Sequence, residues 1–130
     1  MNYRLFNLLD GSTVLPDFNI NCKFILIENL TDCWLVFGEL KTYRYHAQLV
    51  HGFCTFKQVE CGWVSKQDYA EIYDADYIVK GGGIIILNRD NLLIEFRGYS
   101  KAYGRFDPLE VEQFVLKCPG CNGLRVLTGT

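Results

Sequence analysis

The sequence reads as a single α/β domain, a mixed β-sheet packed by two helices, and three observations carry that reading. Two pairs of β-branched and aromatic runs, each pair joined by a short polar turn, read as hairpins. Two segments with apolar residues three and four apart read as amphipathic helices. The runs alternate along the chain as strand, strand, helix, strand, strand, helix, strand, the order of an α/β domain rather than of separate all-α and all-β parts.

The first twenty-one residues mix apolar positions with Gly11, Pro16 and several Asn and Asp residues, and are expected to form a loose leading segment or a short extra strand over the surface. Lys23 to Asn29 and Cys33 to Leu40 flank Leu30-Thr31-Asp32 and form the first expected hairpin. From Tyr45 onward, Leu49, Val50, Phe53, Phe56 and Val59 fall on one helical face, and this helix is expected to end near Gly62. Two readings stand for Trp63 to Tyr73: a short helix capped by Ser65, or a loop feeding the next strand. Asp76 to Val79 and Ile84 to Leu87 read as a strand bent by Gly81-Gly82-Gly83, and Leu92 to Phe96 reads as its partner across the turn Asn88 to Asn91. Asp107-Pro108-Leu109-Glu110 is a helix start, with Asp as cap, Pro in the first turn and an acidic residue near the positive end of the helix dipole. Leu124 to Leu127 is a last short strand.

Composition narrows the function classes. A 130-residue chain with 49% hydrophobic and 22% charged residues has enough apolar content for one packed core. Its net charge of −2 offers no broad basic field, so a nucleic-acid partner is not expected. The sequence contains no apolar run of bilayer length, and no signal-peptide pattern opens it, so no membrane association and a cytoplasmic location are expected. In that setting the six cysteines are expected as reduced, mostly buried thiols. Cys118-Pro119-Gly120-Cys121 has the spacing of half a zinc site without a second pair of ligands, so neither a metal nor another cofactor is expected.

The most informative stretch is Arg97-Gly98-Tyr99-Ser100-Lys101-Ala102-Tyr103-Gly104. Small residues let successive backbone N–H groups turn toward one concavity, and the helix start that follows favours an anion there. This stretch resembles the Tyr-Gly-Tyr-Ser-x-Ala-Tyr-Gly segment of the 14-kDa protein histidine phosphatase (Janus) family, and Lys80-Gly81-Gly82-Gly83-Ile84-Ile85 resembles that family's Leu-Gly-Gly-Gly-Arg-Ile stretch. The resemblance covers roughly residues 22 to 127, and it implies the family fold and hydrolysis of phosphohistidine or a related phosphoramidate without a metal. The implied partner is a phosphorylated protein or a small phosphoramidate, with Ser100, Lys101, Ala102 and Tyr103 against the phosphate.

The family places a histidine at the start of its first helix, and two segments compete for that place. Tyr69-Ala70-Glu71-Ile72-Tyr73-Asp74 resembles the family's His-Ala-Asp-Ile-Tyr-Asp with tyrosine in place of the histidine, but leaves too few residues for the rest of a helix and a strand. Tyr45-His46-Ala47 reproduces the family's Tyr-His-Ala after a strand ending at Gly38, at the cost of treating residues 63 to 73 as an insertion, which a surface connection tolerates. His46 is the better match, as general base or nucleophile, in a position expected to add little to core packing. His51, one turn on, is read as structural. The resemblance also implies that Lys23 lies near bound phosphate, with Arg97 and Lys101 as further charges beside the loop. Ile84 stands where the family has arginine, so substrate contacts are expected to differ. A binding module that keeps the phosphate loop without turnover, or an interaction protein on the same fold, is the alternative.

Overall fold

In the computed structural model, which describes residues 1–65 and 68–130, the backbone hydrogen bonds gather into one six-stranded sheet, one two-stranded hairpin and two helices. The strands are β1 (Asn2–Asn7), β2 (Ile20–Glu28), β3 (Asp32–Phe37), β4 (Cys61–Ser65), β5 (Tyr69–Ile72), β6 (Ile78–Asn88), β7 (Leu93–Arg97) and β8 (Arg125–Thr128), and the helices are α1 (His46–Lys57) and α2 (Pro108–Lys117). The large sheet runs β1-β3-β2-β6-β7-β8. β1 on β3 and β8 on β7 are parallel and the three inner pairings antiparallel, so the sheet is mixed.

Side-chain alternation along the strands sorts the core into two layers. Cys22, Phe24 and Leu26 of β2, with Ile85, Leu87, Ile94 and Phe96, face α2 and meet Phe106, Val111 and Phe114. Phe24 lies edge-on to Phe96 at 5.1 Å, and each fully buried Phe of this kind is worth about 1.5–3 kcal/mol of transfer free energy. Ile25 and Ile27 point the other way, with Trp34 and Val36, and meet Leu49, Val50 and Phe53 of α1. α2 begins as its sequence dictates: the Asp107 carboxylate accepts from the Leu109 N–H at 2.9 Å, with Pro108 in the first turn.

Three sequence expectations change. The leading segment is not confined to the surface: β1 pairs with β3, and Leu5 and Leu15 are buried in the α2 layer. α1 stops at Lys57 rather than near Gly62, because Gln58 turns into the left-handed region (φ 57°) and Val59 N–H closes the turn on Cys54 O. Neither reading of residues 63 to 73 fits, since β4 and β5 form a hairpin across them, with residues 66 and 67 outside the described residues; Ala70 is 1% exposed in the α1 layer, so this hairpin is part of the core. The strand read across Gly81-Gly82-Gly83 is uninterrupted as β6, and its irregularity against β2 falls beside Gly81 (φ +104°), in keeping with the expected bend. Among the described residues, no helix is long and apolar enough to cross a membrane.

Candidate functional site

The register of the sheet decides what stands beside what. Lys23 of β2 pairs with Ile84 of β6, which pairs with Arg97 of β7, so these three side chains form one row on the α1 side of the sheet. The chain leaves β3 through a turn in which Tyr43 and Thr42 N–H bond Glu39 O, and returns to start α1 at His46 over that same row. The Gln48 side chain accepts from the Arg44 and Tyr45 N–H groups (2.8 and 3.0 Å), fixing the entry to the helix. Tyr45-His46-Ala47 therefore opens a helix, whereas Tyr69 to Ile72 lies in strand β5.

His46 is 7% exposed and its Nε2 lies 2.9 Å from Gly83 O. A carbonyl only accepts, so Nε2 carries the proton and Nδ1 holds the free lone pair. A side chain at Gly82 would meet His46 Cδ2 at 3.1 Å, which puts the Cδ2–Nε2 edge of the ring against β6 and Nδ1 on the edge away from it. Burial pushes the imidazole pKa below 6.5; the Gly83 hydrogen bond opposes this and the Lys23 charge adds to it. His46 is accordingly neutral at pH 7. Its burial and hydrogen bond also make it a structural member of the α1–β6 contact, against the expectation that it adds little packing.

His46 lines a cleft of about 550 Å³ together with Lys23, Tyr45, Ala47, Asp68, Tyr69, Tyr99, Lys101 and Ala102. The cleft thus gathers four of the sequence-derived site residues, His46, Lys23, Lys101 and Ala102, from three distant parts of the chain. Ser100 and Tyr103 sit differently. Ser100 is 1% exposed; its N–H bonds Gly104 O (3.1 Å), its carbonyl takes Gly104 N–H (2.8 Å), and its Oγ accepts Tyr103 N–H (3.0 Å). Gly104, at φ +86°, allows this tight closure. Ser100 and Tyr103 amides are thus used within the turn, while the Lys101 and Ala102 amides have no acceptor among the described residues. Of the four loop amides expected to meet phosphate, those of Lys101 and Ala102 are left unbonded in residues that line the cleft.

Tyr103 has a role that the sequence did not suggest. Its hydroxyl takes the Ala70 N–H (2.9 Å) and donates to Ala70 O (2.6 Å), and its ring packs against Tyr69 with centroids 4.8 Å apart. Burial pushes its pKa to about 12. The tether joins the 98–104 loop to the β4–β5 hairpin, so Tyr69 and Asp68 form a wall of the cleft although they lie in the segment read as an insertion. The signal in the sequence was weak, because a tyrosine that satisfies a strand 33 positions away leaves no local pattern. His51 stacks on Trp63 at 5.0 Å, a contact between α1 and β4 away from the cleft. Among the described residues no group of three or more His, Cys, Asp or Glu is placed to hold a metal ion.

No family model matches the chain, and no characterised protein matches it in a sequence search.

Proposed function

We propose that the cleft is the active site of a phosphatase that hydrolyses phosphohistidine or a related phosphoramidate. The observation that carries this reading is the convergence of a neutral imidazole, with its Nδ1 edge turned from the sheet, on two lysines and two unbonded backbone amides. Lys23 and Lys101, with the Lys101 and Ala102 amides, hold the phosphoryl oxygens and oppose the charge that grows on them in the transition state. His46 Nδ1 takes a proton from the attacking water as the new O–P bond forms and the P–N bond breaks. The same proton returns to the leaving nitrogen, so water is consumed and a free amine or imidazole and phosphate are released. The Gly83 carbonyl holds the tautomer this step needs. Gly98 to Gly104 serves as the phosphate loop, with Ser100 and Tyr103 shaping it rather than lending their amides.

A phosphate-binding module without turnover is the second reading, and Ile84 favours it: it stands in the row between Lys23 and Arg97, where a cation would add to the charge on the cleft side. Two measurements separate the readings. Release of inorganic phosphate from phosphohistidine and phosphoramidate is expected from the wild-type protein, and a phosphate titration is expected to shift the Lys101 and Ala102 amide resonances. Shifts without release select the binding module. Neither result, or shifts confined to a distant surface, rejects both.

A further inference from the structure

Beyond the cleft, the α1 side of the sheet stays open. α1 packs over β2 and β3, while the α2 layer covers the opposite face, so the outer part of β6, with β7 and β8, faces solvent on this side. Ile84 and Ile86 are half-buried there and Leu127 is 52% exposed, which makes an apolar floor. Arg97 shares the row of Lys23 and Ile84, and Arg125 pairs with Leu93 two rows away. Glu95, the one carboxylate that β6, β7 and β8 carry, stands on this same face between Ile86 and Leu127. Among the described residues the ion pairs are Arg4 with Asp32 and Lys80 with Glu110. Lys23, Lys101, Arg97 and Arg125 have no carboxylate partner among the described residues; the first two line the cleft and the last two stand on this face. Four cations against Glu95 on the face and Asp68 in the cleft leave this side locally positive, which favours an anionic partner there.

We infer that this open face docks an extended, acidic segment of the phosphorylated protein while the phosphorylated side chain enters the cleft; the inference rests on the phosphatase reading of that cleft. The sheet sets the spacing. Two strand separations of about 4.8 Å put Arg97 roughly 10 Å from Lys23, which an extended chain rising about 3.3 Å per residue spans in about three residues. Arg125 lies one strand farther and four residues back, on the order of 20 Å from Lys23 in a straight line, or about six residues of extended chain. Acidic side chains about three and six residues from the phosphorylated position match the two arginines, and apolar residues between them match Ile84, Ile86 and Leu127.

Labelled peptides carrying phosphotriazolylalanine, a stable analogue of phosphohistidine, test this by fluorescence anisotropy, with acidic residues at the third and sixth positions in one peptide and lysines there in another. The acidic peptide is expected to bind roughly tenfold more tightly in low salt, and the gap should close near 0.5 M salt, where the Debye length falls to a few ångströms. Arg97→Glu and Arg125→Glu should each weaken the acidic peptide and strengthen the lysine peptide by about three- to tenfold, an exchange of preference that a folding defect cannot produce. Arg125→Glu should leave phosphoramidate turnover unchanged. Equal affinity for the two peptides, charge reversals that weaken both alike, or single-stranded RNA displacing the acidic peptide at lower concentration would each overturn the inference. A wild-type protein that discriminates the peptides but does not hydrolyse phosphoramidate would instead remove the phosphatase reading and leave the docking face standing.

Discussion

Replacing Tyr103 by phenylalanine deletes one oxygen and two hydrogen bonds. The hydroxyl accepts from Ala70 N–H at 2.9 Å and donates to Ala70 O at 2.6 Å, and Ala70 is 1% exposed, so water does not reach those groups without rearrangement. A typical intramolecular hydrogen bond contributes about 1 kcal/mol net, and an unpaired buried partner adds its desolvation penalty, so the loss should be about 2 kcal/mol. For a chain of this size that is a fall in Tm of about 7 °C. The ring of Tyr103 keeps its packing on Tyr69, so the change isolates the tether from the apolar contact. Urea denaturation gives the free energy, and hydrogen exchange at the Ala70 amide gives the locality: exchange there should accelerate more than in α2, which the tether does not touch. A Tyr103→Phe protein within about 0.5 kcal/mol of wild type, with Ala70 exchange unchanged, would refute the claim that this hydroxyl fastens the hairpin to the loop.

Three further outcomes follow from the geometry. Gly82→Ala drives a Cβ into Phe24 O, a backbone atom of the neighbouring strand, and should cost at least about 2 kcal/mol by denaturation, whereas Gly104→Ala has open space and should cost only about 1 kcal/mol for its positive φ. Asp107→Ala removes the cap on Leu109 N–H and should lower stability by about 1 kcal/mol without altering phosphate binding, measured by denaturation and amide titration. Because burial holds the folded-state pKa of His46 below 6.5, the unfolded chain binds the proton more readily. The stability from neutral His46 is thus fully present above pH 6.5 and is lost as pH falls through the folded pKa, and the acid limb of hydrolysis should follow the same depressed pKa when both are read across pH 4 to 8.

Local chemistry was legible and long-range satisfaction was not. α2 could be placed because Asp107, Pro108 and Glu110 act within one turn of each other, and the β2–β3 and β6–β7 hairpins because their turns are short. β1 was hard to read because its partner β3 is parallel and about thirty residues away, a pairing that no turn signals. The β4–β5 hairpin was missed because Cys61 to Ser65 lacks a clear apolar alternation and its anchor is Tyr103. The end of α1 was overrun because Val59 and Cys61 continue the helical spacing while packing on α1 from outside it. At the site, the family resemblance pointed to His46, Lys23, Lys101 and Ala102, but which loop amides remain free depended on Ser100 closing on Gly104, a geometry with no signature beyond the glycine itself.

The central claim, that His46 supplies the base for hydrolysis, is tested most directly with His46→Gln rather than alanine. Alanine would leave Gly83 O without its donor and confuse chemistry with stability, whereas the glutamine side-chain amide retains N–H donors for that carbonyl and has no basic nitrogen. Phosphate release from phosphohistidine should fall at least about a hundredfold in His46→Gln, with a melting temperature close to wild type, while Tyr69→Phe stays near wild-type turnover. Undiminished release by a folded His46→Gln protein would contradict the account.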